Sequence, residues 1–537
     1  MPAEPRLLPL ARWSAGVAHD DIPPRTLRAA RFQLLDMIAA AHASARAREV
    51  SSVVHGLEAL GGDGGRATIV GTGGRARVTD AAMVNAAFSM AHDFDDIVWM
   101  GHTCHSSVFA PLAVAEREGS STTDLLTAIV VANEIGGRLG ASSFLGPLNG
   151  QMWTFIHLVG AAAATAKLLR LDEAVTAHAL AIALAQPNFA LQPGFMAPTS
   201  KLLAASTPIA TGIQAAYFAR AGMTGHPGIL EDRRGFWRRF SFLPMPFMLD
   251  KLGEFWTLDT LTIKTYPGCH YFQTALTALE RILARRPIRP SEIEVVTVDT
   301  TKLACEVTRF AGAYVGAAGE VTPVRVNFDL AASCTLFLHA GKLGPDEMEA
   351  DYLKEHGAAL RALRERVVVR HDPALTARVV AGARGIATGK RAVAEIRLAD
   401  LRVLARRYGE EYGSRLFSMG DAANLLKRAL SRRAPRTAGP LSDGGVPLYF
   451  PSRVTVELTG GGREEERVDL PVGSMASPDV ERSLEGKVVA SLARTVGEER
   501  ARRALVAGLA VEAMELGEFV SAVSARAAVA APGASRR

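Results

Sequence analysis

A chain of 537 residues, 48% hydrophobic and 22% charged, has the balance of a globular protein, and its length suggests roughly two to four domains. A formal charge of +6 is mild over such a length, and no basic block is interleaved with aromatics, which argues against nucleic-acid binding. No run of about 18 apolar residues occurs and the opening MPAEPRLLPLARW lacks an apolar signal core, so neither a membrane span nor a secretory leader is expected. Cys104, Cys269, Cys305 and Cys334 form no C-x-x-C pair, which leaves structural zinc and iron–sulfur clusters unsupported. So few cysteines suit a reducing compartment, and a cytoplasmic enzyme is expected.

Residues 25–44 carry Leu27, Ala30, Leu34, Ile38 and Ala41 at helical spacing. Thr122 is expected to cap a helix bearing Leu125, Leu126, Ile129 and Val130. Asp172 should cap another that runs through Leu180 and Leu184 to Pro187. Pro208 is expected at the first position of a further helix ending near Gly222. The runs GGDGG (61–65) and GTGG (71–74) read as turns. Together these predict an all-helical domain over 1–265.

From Tyr266-Pro267 the composition changes. A helix over 270–286 stops at Pro287, and 292–300, 366–370 and 453–460 read as strands by β-branched content. A helical excursion near 400–432 and a turn-rich loop at 434–447 complete a smaller, lid-like α+β domain over 266–475. Helical pattern resumes within 476–537 and is expected to return to the first domain, with a disordered tail from about 525. The predicted fold is mainly α: a large discontinuous all-helical domain plus a smaller α+β domain.

The densest polar cluster is HDFDD (92–96) followed by GHTCHSS (101–107), three carboxylates and three histidines within fourteen residues. Such groups bind metals, yet no H-E-x-x-H or facial-triad spacing is present, and aspartates also cap helices. Lys201 and Lys264 are isolated lysines between apolar segments. A lone lysine is ordinarily a solvated surface group; here a cleft position is the alternative. GARGIATGKR (382–391) ends like a phosphate loop, but Arg384 stands where the first glycine belongs and Arg391 replaces Ser/Thr. His55, His178 and His270 read as structural histidines.

DDIPPRTLRAARFQLLDMIAAA (20–41), HDFDD, GAAAATAKLLRLD (160–172), SKLLAASTPIATGIQAA (200–216), GMTGHPGILEDRRGF (222–236), IKTYPGC (263–269) and LPVGSMASPDVERSLEGK (470–487) stand in this order. As a set they resemble the MmgE/PrpD family, which includes 2-methylcitrate dehydratase, cis-aconitate decarboxylase and iminodisuccinate epimerase, typically dimeric and without metal or organic cofactor. In the resemblance, Asp93 matches the first aspartate of the D-F-D-D motif, and Lys201 and Lys264 match two active-site lysines. The following histidine falls on His102 or His105, with His105 preferred because Ser106, Ser107 and Pro111 follow. Ile97 stands where the family often has threonine. At the approximate place of a second family histidine the chain has Gln151, with His157 six residues later.

The resemblance implies a cofactor-independent lyase or isomerase that takes a proton beside a carboxylate of a small di- or tricarboxylic acid, leading to dehydration, epimerisation or decarboxylation. It implies His105 as acid–base group tuned by Asp93, Lys201 and Lys264 stabilising the growing anion, and His157, Gln151 and Tyr266 as substrate contacts. No metal, no nucleic acid and no membrane is implied, and a homodimer is. Such roles suit the residue types: the intermediate is an enediolate-like dianion, which needs a base near neutral pKa and fixed positive charge. Two readings from other classes stay open, a metal-dependent hydrolase built on the 92–105 cluster and a non-catalytic carboxylate-binding paralogue suggested by Gln151 and Ile97.

Overall fold

The computed structural model describes residues 4–61, 63–99, 101–147, 154–196, 198–313, 323–383, 398–412 and 445–525. Helix α1 (Pro24–Ala43) starts with Pro24 in its first turn, where the missing N–H has no helical partner to lose. From Phe32 onward it is enclosed on every side and takes the polar Gln33 and Asp36 into the interior with Leu34, Leu35 and Ile38. Helices α2 (Val78–Ala91), α3 (Cys104–Glu118), α4 (Thr122–Ser142), α5 (Phe155–Leu168), α6 (Glu173–Ala185) and α7 (Leu203–Arg220) follow. The central one is α5, whose sequence FIHLVGAAAATAKL is apolar nearly all round and packs on α3, α4, α6 and α7. Its small residues let neighbours come close. A Cβ added to Gly212 of α7 would lie 2.3 Å from the Leu158 carbonyl oxygen, so only glycine fits.

Asp172 caps α6 by accepting from the Val175 N–H at 2.9 Å, as expected. Two other caps differ. Ser121 caps α4 through the Asp124 N–H, and Thr122 is the first helical residue, because Ser121 and Asp124 satisfy each other's backbone reciprocally. Pro208 lies inside α7, since a 3₁₀ turn at Thr199–Leu202 feeds directly into the helix and starts it earlier. The region 1–265 is also not wholly helical. Strands β1 (Asp63–Ile69) and β2 (Gly74–Ala76) form an antiparallel hairpin, so Asp63, Gly64 and Gly65 of the first glycine run belong to a strand, after a turn at Gly61 with φ +73°; the second run marks the hairpin turn, with Gly73 at φ +74°.

After a 3₁₀ turn at His270–Phe272 comes α8 (Gln273–Arg285). Strands β3 (Ile293–Thr300), β4 (Val367–His371), β5 (Ser452–Leu458) and β6 (Arg463–Val468) make one sheet in the order β4-β3-β5-β6. β3 pairs parallel with β4 and antiparallel with β5, which pairs antiparallel with β6. Helix α8 packs over β5 and β6, and α9 (Leu330–Ala340) over α8 and β4. β6, REEERV, is an edge strand the pattern of the chain does not announce; its Glu466 is met by Arg281 at 3.4 Å and Arg285 at 2.5 Å from α8. Leu398–Tyr412 forms part of the expected excursion. Residues 413–444, most of GARGIATGKR and the tail from 526 lie outside the described residues.

The C-terminal helices α10 (Val480–Val496), α11 (Glu498–Leu509) and α12 (Leu516–Val523) close the order of elements, and α10 packs along α1. The Val523 carbonyl meets His42 of α1 at 2.8 Å, and the Ala525 N–H donates to Val70 O at 2.8 Å, which ties the segment after α12 to α1 and to the turn after β1. The fold is mainly α with a smaller α+β portion. Among the described residues, no helix is long and apolar enough to cross a membrane.

Candidate active site

Helix α2 ends at Ala91, and Asp93 then adopts the left-handed conformation with φ 51°. That conformation costs a non-glycine residue about 1 kcal/mol, least for Asp and Asn, and it reverses the chain abruptly. The reversal sends successive carboxylates of the 93–96 turn in different directions. Beyond it, Ile97 and Thr262 exchange backbone hydrogen bonds at 3.0 and 2.9 Å, which brings the segment carrying Lys264 alongside the turn.

Both lysines reach the same carboxylate. Lys201 Nζ donates to Asp93 Oδ1 at 2.8 Å and to the Met90 carbonyl at 3.1 Å. Lys264 Nζ donates to Asp93 Oδ2 at 3.1 Å, to the Asp93 carbonyl at 2.7 Å and to Asp95 Oδ1 at 2.9 Å. Each lysine is 0% exposed, an unusual placement that the paired carboxylates make tolerable. Burial lowers the Lys201 pKa despite Asp93. Burial works the same way on Lys264, but Asp93 and Asp95 together outweigh it and hold that ammonium charged. Burial would lift Asp93; the two lysines pull it down to about 2 instead. The Phe328 ring, from the chain just before α9, lies 4.8 Å from Lys201 Nζ.

Asp95 faces the histidines. Its Oδ2 lies 2.5 Å from His102 Nδ1 and 3.3 Å from His105 Nε2. Burial opposes its charge, yet Lys264 and the imidazoles keep it well below the usual carboxylate range, so it is an acceptor and His102 Nδ1 carries the proton. The other ring nitrogen of His105 meets Ser89 Oγ at 2.8 Å, and His105 is wholly enclosed. His102 keeps 11% of its side chain exposed. His157 lies edge-on to His105 with ring centres 5.6 Å apart. Ser106 gives its proton to the Thr103 carbonyl, so it accepts from His157 Nδ1 at 3.1 Å. Burial and then His105 push the His157 pKa well down; the ring is neutral with a lone pair on Nε2.

Sequence models of the MmgE/PrpD N-terminal and C-terminal domains match residues 9–244 and 266–428. The chain belongs to the MmgE/PrpD family. Among curated proteins, this family member is 28% identical to a cis-aconitate decarboxylase of Aspergillus terreus over 303 residues, 52% of this chain and 60% of that one. It is 28% identical to the human cis-aconitate decarboxylase over 232 residues, 40% of this chain and 47% of the human one. The chain thus spans about half to three-fifths of the length of the curated relatives it matches.

In this MmgE/PrpD chain the fold brings Asp93, His102, His105, His157, Lys201 and Lys264 together, but with different partners from those expected. The carboxylate on the histidines is Asp95, not Asp93, because the left-handed turn gives Asp93 to the lysines. Of the two candidate histidines, His102 is the one with part of its side chain exposed, and His105 is enclosed. Tyr266 is committed elsewhere: its hydroxyl donates to Glu280 at 2.7 Å and its ring packs edge-on to Phe337. Gln151 lies outside the described residues.

His270, read from sequence as structural, sits in the same interior. It is 1% exposed, its ring meets Phe450 edge-on at 4.8 Å, and among the described residues neither ring nitrogen has a hydrogen-bond partner. Burial first, then Lys264 and His102, force its pKa well down, so it is a neutral imidazole near the charged cluster. Its only trace in the sequence is its position six residues after Lys264. As for a metal, Asp95, Cys104 and His105 bring ligand atoms within 4.8 Å of one another. Burial and then Asp96 raise the Cys104 pKa well above its ordinary value, and the Lys264 ammonium already neutralises Asp95. A divalent ion there would meet the buried Lys264 ammonium already paired with Asp95, a poor fit.

Proposed function

We propose that this protein is a lyase or isomerase acting at carbon beside a carboxylate of a small di- or tricarboxylic acid, with decarboxylation of a cis-aconitate-like substrate as the first branch to test. One arrangement above all supports the reading: two buried ammonium groups share Asp93 while the neighbouring Asp95 holds two imidazoles. Decarboxylation is placed first because the matched relatives carry that name. The site's chemistry is common to all three branches.

In decarboxylation, electrons of the breaking C–CO2 bond enter the carbon skeleton and come to rest beside a remaining carboxylate, where a proton is added. In dehydration or epimerisation, the carbon beside the carboxylate first loses its proton. Each route builds enediolate-like negative charge. Lys201 and Lys264 supply fixed positive charge for it in a water-poor site, where such charge acts most strongly. His102 carries the proton: Asp95 fixes its Nδ1, and its remaining exposure lets Nε2 meet substrate. A positioned histidine contributes ~10²–10⁴-fold, short of the ~10⁶-fold or more typical of enzymes, and the lysines are assigned the remainder. Neutral His157 and His270 offer further proton acceptors close by. Division into 1–265, 266–475 and 476–537, closure of the middle part over the helices, a homodimer, a cytoplasmic setting and independence from cofactors belong to the same proposal.

The test is NMR of purified protein in deuterated water with cis-aconitate and a panel of related polycarboxylates. Expected is deuterium at carbon beside a carboxylate, with product from at least one acid. Absence of both exchange and product across the panel overturns the reading.

A further inference from the structure

The turn that carries Asp93 and Asp95 rests on a second charged layer that plays no part in the mechanism above. Lys487 enters it from α10, outside both segments matched by the family models. Its Nζ donates to the carbonyl oxygen of Phe94, forms an ion pair with Asp36 Oδ1 of α1 at 2.7 Å, and lies 4.1 Å from the centre of the Phe94 ring. Lys487 and Asp36 keep 1% and 0% of their side chains exposed. Beside them, Gln33 Nε2 donates to Asp96 Oδ1 at 3.0 Å, while Asp96 Oδ2 has no hydrogen-bond partner among the described residues.

A buried ion pair of this kind is a poor device for stability alone. Two packed apolar side chains of similar size would do as well or better, since both charges must be stripped of water. What an apolar pair cannot do is donate to a particular carbonyl. The Phe94 carbonyl belongs to the peptide that joins residues 94 and 95, between the carboxylate that faces the lysines and the one that faces the histidines. Holding that oxygen fixes the orientation of the peptide plane and with it the directions of both carboxylates. The Phe94 ring lies under the same ammonium, which gives Lys487 a second contact with residue 94.

We propose that Lys487 is a positioning residue: acting from the C-terminal helix through the Phe94 carbonyl, it sets the turn that gives Asp93 to Lys201 and Lys264 and Asp95 to His102 and His105. Asp36 holds Lys487 in place. The claim rests on the reading of this cluster as the active site, and one of its measurements needs no substrate.

Lys487→Met, Lys487→Arg and the double variant Asp36→Asn/Lys487→Met are compared in the full chain. The double variant removes both charges, so it keeps the fold where Lys487→Met alone strands a buried carboxylate. Thermal unfolding reports folding. Turnover of the acid found with wild-type protein gives kcat and KM, and the far-downfield proton resonance of the His102 Nδ1–H···Asp95 bond reports the turn directly. Expected for the folded double variant is a kcat loss of about 100-fold, the scale of a misplacement near 1 Å, with KM within about threefold. The downfield resonance should shift or vanish, and Lys487→Arg should recover part of both. A folded double variant with wild-type kcat and an unshifted resonance overturns the proposal. If wild-type protein turns over none of the acids, the proposed function falls, and the resonance alone then decides the role of Lys487.

Discussion

Lys264→Met is the most direct probe of the charge arrangement. It removes an ammonium held 3.1 Å from Asp93 and 2.9 Å from Asp95, both enclosed, and leaves a side chain of similar length. Each contact is worth about 5 kcal/mol at an effective dielectric constant near 20, before desolvation is set against it. Stranding one partner of a buried pair typically costs about 3–5 kcal/mol, and that is the expected loss of stability. The rate should fall separately, by about 10²–10³-fold, as when one donor to a developing anion is removed. Lys264→Met/Asp93→Asn separates the two effects. Neutralising Asp93 restores the overall balance of charge and leaves Lys201 to Asp95, so unfolding should move part of the way back toward wild type while kcat stays low. The assays are denaturant unfolding and NMR-monitored turnover on the same preparations. A single variant with kcat within about threefold of wild type, or a double variant with restored kcat, refutes the assignment of Lys264 as anion stabiliser.

His102→Gln should lower kcat by about 10²–10⁴-fold, whereas His105→Gln, at an enclosed ring with Ser89 and Asp95 as partners, should lower thermal stability more than rate; the reverse order in turnover assays transfers the acid–base role to His105. Burial drops the His42 pKa to about 4, the Val523 carbonyl opposing. A folded value below the ordinary 6.5 gives stability that is present above pH 6.5 and lost as pH falls through 4, about 3 kcal/mol in all. Urea unfolding of wild type and His42→Gln at pH 7 and pH 4 should show that component vanish in the variant; equal pH slopes would contradict it. A Cβ on Gly473 would stand 2.1 Å from the Ile263 carbonyl oxygen, next to Lys264, so Gly473→Ala should reduce both the melting temperature and kcat, and unchanged values of both would show that the segment yields without cost.

Several features were legible because local chemistry dictates them. Asp172 caps a helix by a bond to a residue three positions on, and β3 and β5 declare themselves by β-branched content. Asp93, Lys201 and Lys264 were marked by motifs. The partner of each was not, because one left-handed residue decides which carboxylate faces which base, and no side-chain pattern encodes φ at Asp93. His270 offered nothing beyond a lone imidazole beside Cys269; its proximity to Lys264 arises only when the 3₁₀ turn at His270–Phe272 folds back. Nothing in the polar run VERSLEGK singles out Lys487, which is taken inside only where α10 packs against α1. β6 escaped because REEERV is charged as an edge strand must be, and β1 because its glycines hide a strand.

The interior around the turn contains carboxyl groups of Asp36, Asp93, Asp95 and Asp96 and ammonium groups of Lys201, Lys264 and Lys487. Burial and then Asp36 raise Asp96 well above the carboxylate range, so it stays a neutral acid, and Asp36 reaches only about 6 because Lys487 offsets part of its burial. Apart from Asp96, three carboxyl groups therefore stand against three amino groups around the turn. On the proposed reading, a polycarboxylate brings extra negative charge into an enclosure that is already balanced. Two responses are open to the molecule: the lysines turn from Asp93 toward the ligand and leave Asp93 to be protonated, or an imidazole takes up a proton. Either one couples anion binding to proton uptake, because an uncompensated charge in such surroundings costs several kcal/mol. On that reading the balance of charge around the turn prepares the proton that the proposed reaction needs, and it does so only while Asp93 and Asp95 keep their separate directions.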